Sequence, residues 1–242
     1  MSEIVTSGLH EKILKMTAEY GYITVDEVSM ITGNVRHAYS VLQYLSAKGT
    51  LGTFSTHLRP SRAYYLPDDM KKILDSSGKV GHVENFYPYS YRPTGFYHHT
   101  SLIKTQLAIE KIFGDRLVEY FTELRLKRDY GKQKICDGEF LFLNKNNEKR
   151  KIGVEIELTL KSADVRRIKM DNLFSYGKDN LNIIFMFFNK PVVLDRTKET
   201  ISKCTSKETP VFFFDMDEFL LKLQDTKAKT VEGNFEYILR GF

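Results

Sequence analysis

The sequence predicts a mixed α/β protein with a helical N-terminal part, and three observations carry that expectation. Leu9, Ile13, Met16 and Tyr20 recur at helical spacing near the start. Residues 135–143 and 151–160 are rich in Ile, Val, Leu and Phe, with turn-forming Asn144-Lys145-Asn146-Asn147-Glu148 between them, which is the signal of a β-hairpin. Residues 182–188 form a further, almost wholly apolar run of strand length.

The elements follow in order. A first helix covers about 8–20. Thr24 and Glu27 form a capping-box pair opening a short helix that ends at Gly33. Asn34 caps a third helix whose apolar stripe is Val35, Ala38, Leu42 and Leu45 and whose other face shows Arg36, His37, Ser40, Gln43 and Lys48. Two short strands, 51–55 and 62–66, are joined by a turn carrying Arg59 and flanked by Arg62. Residues 68–97 read as an aromatic linker, because proline and glycine break regular structure there. Its tyrosines suit either stacking of unpaired bases or packing against the flanking domains, and packing is favoured. Beyond it come a helix at 100–113, a strand at 118–127, the hairpin, a basic helix at 162–176, the strand 182–188, a helical region 194–205, a strand at 211–214 and a helix at 216–224. The expected domains are 1–67, the linker 68–97, and 98–242 with a C-terminal extension.

Composition narrows the function classes. No apolar run approaches the roughly 20 residues needed to span a bilayer, so no membrane insertion is expected. The N-terminus lacks a positive region followed by an apolar one, which argues against a signal peptide. Cys136 and Cys204 lack metal-ligand spacing and suit a reducing cytoplasm. The net charge is +5, and the distribution says more than the total. Arg125, Lys127, Arg128, Lys132 and Lys134 precede the hairpin, Lys145, Lys149, Arg150 and Lys151 occupy its turn, and Lys161, Arg166, Arg167 and Lys169 follow it.

Within that basic frame lies an acidic group. A hairpin centred on Asn146 sets Asp137 opposite Glu155, and Glu157 shares the face of Glu155 because side chains alternate along a strand. Three converging carboxylates in an apolar setting repel one another unless a cation sits among them, and hard oxygen ligands select Mg²⁺ or Mn²⁺. A metal-holding acidic centre with a cationic rim suits phosphodiester chemistry, with Arg166 and Arg167 on the nucleic-acid backbone.

Three helices followed by a hairpin resemble the winged helix-turn-helix family over about residues 8–67. By that likeness Arg36, His37, Ser40 and Gln43 face bases, and Arg59 and Arg62 touch the backbone. A protein-binding winged helix is the alternative, since residues 1–67 hold six Lys/Arg against five Asp/Glu. The order helix, three-stranded meander, helix, strand resembles the PD-(D/E)xK restriction-endonuclease-like fold. Asp137-Gly138 is similar to its P-D-G, with Cys136 for proline, and Glu155-Ile156-Glu157 to its (D/E)-x-K, with glutamate for lysine. Some restriction enzymes of this fold carry glutamate there and remain active; Lys161 is the alternative source of the missing cation, ranked behind a phosphate contact for that lysine.

The whole arrangement, with 154–162 as V-E-I-E-L-T-L-K-S, resembles MobC-type plasmid mobilization relaxases and the replication-relaxation family. That resemblance implies metal-dependent, strand-specific nicking of DNA at an origin of transfer during conjugation, contact with duplex and single strand, and a type IV coupling-protein partner. The competing expectation is a non-catalytic DNA-binding accessory protein or transcription regulator on a nuclease-like scaffold. Glu110 as a further carboxylate, His99 as a phosphate ligand and Tyr176 as a nucleophile are secondary candidates; the more familiar His-hydrophobe-His relaxase motif does not fit His98-His99.

Overall fold

The computed structural model describes residues 8–77, 83, 84, 86, 88, 91–130, 136–204, 208–236 and 238–241. Lys132, Lys134, the start of the predicted strand at 135 and residue 205 lie outside the described residues, as do Tyr87, Tyr89 and other parts of the linker. The described chain is mixed α/β, and its contacts gather into two compact units, Met1–Leu107 and Ala108–Phe242. That division falls inside a helix, beyond the domain start expected at 98.

In the first unit, α1 (Gly8–Tyr20), β1 (Tyr22–Thr24), α2 (Val25–Thr32) and α3 (Val35–Ala47) precede the hairpin β2 (Gly52–Ser55) and β3 (Arg62–Tyr65). The strands form an antiparallel sheet in the order β1-β3-β2. Thr24 and Glu27 make the reciprocal capping box, and Gly33 closes α2 in the left-handed conformation, φ 71°. The Asn34 side chain accepts from the backbone N–H groups of Arg36 and His37. Ala38, Val41, Leu42 and Leu45 bury the inner stripe of α3, whereas Val35 is 55% exposed. At the first helical turn Val35 sits ahead of the stretch that meets the core, which corrects its place in the predicted stripe.

The predicted linker contains a helix, α4 (Asp68–Ser77). Pro67 stands just before it, where proline fits ahead of a helix. The Lys71 ammonium is buried and donates to Asp68 and to the Phe86 carbonyl. Phe86 and Tyr91 pack at 5.1 and 5.9 Å from the Tyr22 ring. The Tyr91 hydroxyl donates to Thr56 O at 3.1 Å, so this tyrosine is structural and does not offer a free stacking face. A Cβ at Gly21 would meet Phe86 at 2.7 Å, and φ there is +88°, so only glycine serves. α5 (Phe96–Phe113) starts earlier than expected, after a short helical turn at Pro93–Gly95.

The second unit is built on β4 (Leu117–Thr122), α6 (Glu123–Tyr130), β5 (Gly138–Leu143), β6 (Lys149–Glu157), α7 (Ala163–Asn180), β7 (Ile183–Phe188), α8 (Pro191–Ser202), β8 (Val211–Asp215), α9 (Met216–Lys222), β9 (Ala228–Lys229), β10 (Phe235–Glu236) and α10 (Ile238–Gly241). Its sheet runs β10-β9-β8-β7-β6-β5-β4. β4, β5 and β6 form an antiparallel meander, while β7 and β8 continue parallel to β6. The strand predicted at 118–127 breaks at Thr122. Glu123-Leu-Arg-Leu-Lys-Arg is made of good helix formers, and the Glu123–Lys127 and Arg125–Asp129 pairs span one helical turn.

The two faces of this sheet differ. On one, Phe140, Phe142, Phe185, Phe187 and Phe214 build an aromatic core with Phe113 and Phe219. On the other, α7 lays Met170, Leu173 and Phe174 against Ile184, Met186 and Phe188. No helix among the described residues is long and apolar enough to cross a membrane.

Candidate active site

The hairpin register pairs Gly138 with Val154 and Glu139 with Gly153, the constant sum that sets Asp137 opposite Glu155. Asp137 lies just outside the regular strand, and two bonds fix it. Its N–H donates to Val154 O at 2.9 Å, and its Oδ2 accepts from the Ile156 N–H at 2.8 Å. Strand alternation puts Asp137, Glu155 and Glu157 on the face that α7 covers, and they are 1%, 0% and 4% exposed.

The cation among them belongs to the chain itself. Lys169, on α7, places its ammonium on both Glu155 and Glu157, and Lys161 reaches Glu157 at 3.1 Å. Burial alone would lower the pKa of Lys169, but Glu155, Asp137 and Glu157 together raise it above the ordinary lysine value, so it stays charged. An ammonium from the facing helix thus sits between Glu155 and Glu157. The sequence holds a signal for this only in hindsight, since Lys169 is one of several cations in that stretch and its inward turn depends on how α7 docks.

A fourth carboxylate joins the face. Glu139 is fully buried, 3.3 Å from the Lys151 ammonium. The Cys136 thiol donates to Gly138 O at 3.1 Å, and burial, then Glu139, Glu155 and Asp137, push its pKa up, so it is an inert thiol. Glu139 shares the parity of Asp137 along the strand, so the alternation that found one carboxylate was able to find the other.

The remaining candidates fall elsewhere. Tyr176 packs with Tyr130 at 5.7 Å, its hydroxyl buried. Burial, then the Glu139 carboxylate, raises its pKa, which disfavours the phenolate a nucleophile needs. Arg166 donates to the Lys161 carbonyl and to Thr200 Oγ1 at 3.3 Å, so its guanidinium braces α7 against α8, while Arg167 is exposed. Phe113 packs α5 on the phenylalanine face, which puts the helix of Glu110 on the other side of the sheet from the trio. His99 belongs to the first unit, stacked on Tyr22 at 3.7 Å with Nε2 donating to the Tyr22 carbonyl at 3.0 Å. Burial depresses its pKa to about 4, so it is a neutral packed ring that carries no charge toward a phosphate near pH 7. Arg36, His37, Ser40 and Gln43 are exposed on α3, and Arg59 and Arg62 on the hairpin.

The donor chemistry of Asp137, Glu155 and Glu157 suits a hard divalent ion. Among the described residues, however, no three His, Cys, Asp or Glu side chains are gathered as a metal-holding group. Lys169 occupies the place between the two glutamates, so a metal ion on Asp137 and Glu155 requires that ammonium to give way. No family model, curated protein or solved structure matches the chain.

Proposed function

We propose that the protein is a metal-dependent DNA endonuclease that nicks one strand, acting as a plasmid mobilization relaxase at an origin of transfer. The observation that carries the reading is the buried face of Asp137, Glu155 and Glu157 with Lys161 and Lys169 on it. So many ionisable groups in one apolar place cost folding energy that a purely structural sheet has no need to spend. Asp137 and Glu155 would hold Mg²⁺ or Mn²⁺, which supplies charge neutralisation of the scissile phosphate when bound. Glu157 orients the attacking water and takes its proton, while Lys161 and Lys169 face the negative charge that grows on the phosphate oxygens. Water adds to phosphorus, one P–O ester bond breaks, and the leaving oxygen takes up a proton. The origin of transfer and the coupling-protein partner rest on the resemblance of residues 154–162 and of the domain order.

The second reading, a DNA-binding accessory protein or regulator on a nuclease-like scaffold, is favoured by one observation. Lys169 and Lys161 together already pair with Glu155 and Glu157. Incubating the full chain with supercoiled plasmid carrying a candidate origin separates the two. Open-circular product with Mn²⁺ and none with chelator supports the nuclease; binding without cleavage under every metal condition supports the scaffold.

A further inference from the structure

An exposed aromatic side chain on α3, Tyr39, lines a small polar pocket in the first unit. Tyr39 is 47% exposed, and with Gln43 one turn later it lines a pocket of about 170 Å³ whose other walls are Val25 of α2 and Pro60, Ser61, Arg62 and Tyr64 of the hairpin. The second exposed tyrosine of α3 is differently placed, since Tyr44 stacks on His10 at 5.6 Å and carries the Lys48 ammonium over its ring. Tyr39 therefore combines an accessible ring with a pocket that Gln43, Ser61 and Arg62 also line.

We infer that this pocket binds one unpaired nucleobase of a single-stranded nucleic acid. Tyr39 provides the stacking face, Gln43 the donor and acceptor for a base edge, and Arg62 the contact to the adjoining phosphate. The volume is below the roughly 300–1,000 Å³ of a drug-sized site and suits a single planar ring system. A base in a duplex has both faces covered by its stacked neighbours, so only an unpaired or turned-out base can lay its π-face on Tyr39. Gln43 offers a bidentate amide of the kind that reads base edges. Arg36, one helical turn before Tyr39 and Ser40, extends the exposed polar row toward the backbone of the bound strand. This site is independent of the carboxylate face in the second unit.

The test is fluorescence anisotropy of the full-length protein with labelled single-stranded DNA, single-stranded RNA of the same sequence, and the matching duplex at one salt concentration. Tyr39→Ala should weaken binding to a single strand by about 5- to 100-fold, the loss of one stacked base. Tyr39→Trp should retain it. Arg62→Gln should flatten the salt dependence, and Gln43→Ala should change which base is preferred. Whichever sugar binds more tightly identifies the natural strand, and the loss in Tyr39→Ala for that strand supports the site. The inference is overturned if the wild type binds neither single strand, or if Tyr39→Ala binds single strands as tightly as the wild type. Manganese binding by the Tyr39 variants should stay unchanged, so failure here leaves the nuclease reading standing.

Discussion

Replacing Lys169 with methionine keeps most of the side-chain length and removes only the charge. Glu155 and Glu157 then lose a partner that is itself largely buried, with side-chain exposures of 14% for Lys169 and 0% and 6% for the glutamates. Breaking a buried pair by deleting one member typically costs about 3–5 kcal/mol, because a charge remains in a poorly solvating place. For a unit of this size the thermal midpoint should drop by roughly 10–20 °C. Adding Glu155→Gln and Glu157→Gln to Lys169→Met should recover much of that loss, since no uncompensated charge then remains on either glutamate. Thermal unfolding of the set by circular dichroism, completed as a mutant cycle, measures the coupling directly. Manganese added to Lys169→Met supplies the missing positive charge and should raise its midpoint. A cost below about 1 kcal/mol for Lys169→Met, the range of an exposed ion pair, would refute the account of this ammonium as the internal cation of the face.

Three further outcomes are expected. Asp137→Ala, Glu155→Ala and Glu157→Ala should each abolish plasmid nicking with duplex binding largely intact, and Glu157→Lys should keep more activity than Glu157→Ala; cleavage assays beside gel-shift titrations check this. The pKa of His99 is lowered from 6.5 to about 4 in the folded chain, so the unfolded state binds more protons between those values. Its contribution to stability is full above about pH 6.5 and falls as pH drops toward 4, by up to about 1.4 kcal/mol per pH unit, which His99→Phe should remove from pH-dependent denaturant melts. Thr24→Ala deletes the cap of α2 and should cost about 1–2 kcal/mol, seen as faster amide exchange in Val25–Thr32.

Where structure is set by neighbours in sequence, the sequence reads well. The Thr24–Glu27 box, the Asn34 cap and the 138–154 hairpin register are local, and each occurs as its residue pattern implies. The β4 to α6 switch was illegible because Leu, Lys and Arg serve a strand edge as well as a helix, and only the pairing of β4 with β5 ends the strand at Thr122. Lys169 and His99 show the harder limit. Each acts through a partner brought near by tertiary packing, 12 to 14 residues away for Lys169 and 77 for His99. Nothing in the spacing separates the inward Lys169 from the exposed Arg167 two residues before it. Glu139 is the opposite case, since period-two alternation from Asp137 already points to it.

Calorimetric titration of Mn²⁺ into the wild type, Asp137→Asn and Glu155→Gln tests the central claim most directly, because it reads the carboxylate face without needing the right DNA. A saturable site in the wild type that vanishes in both variants is the predicted result. Absence of saturable binding in the wild type, or equal binding in all three proteins, would contradict it.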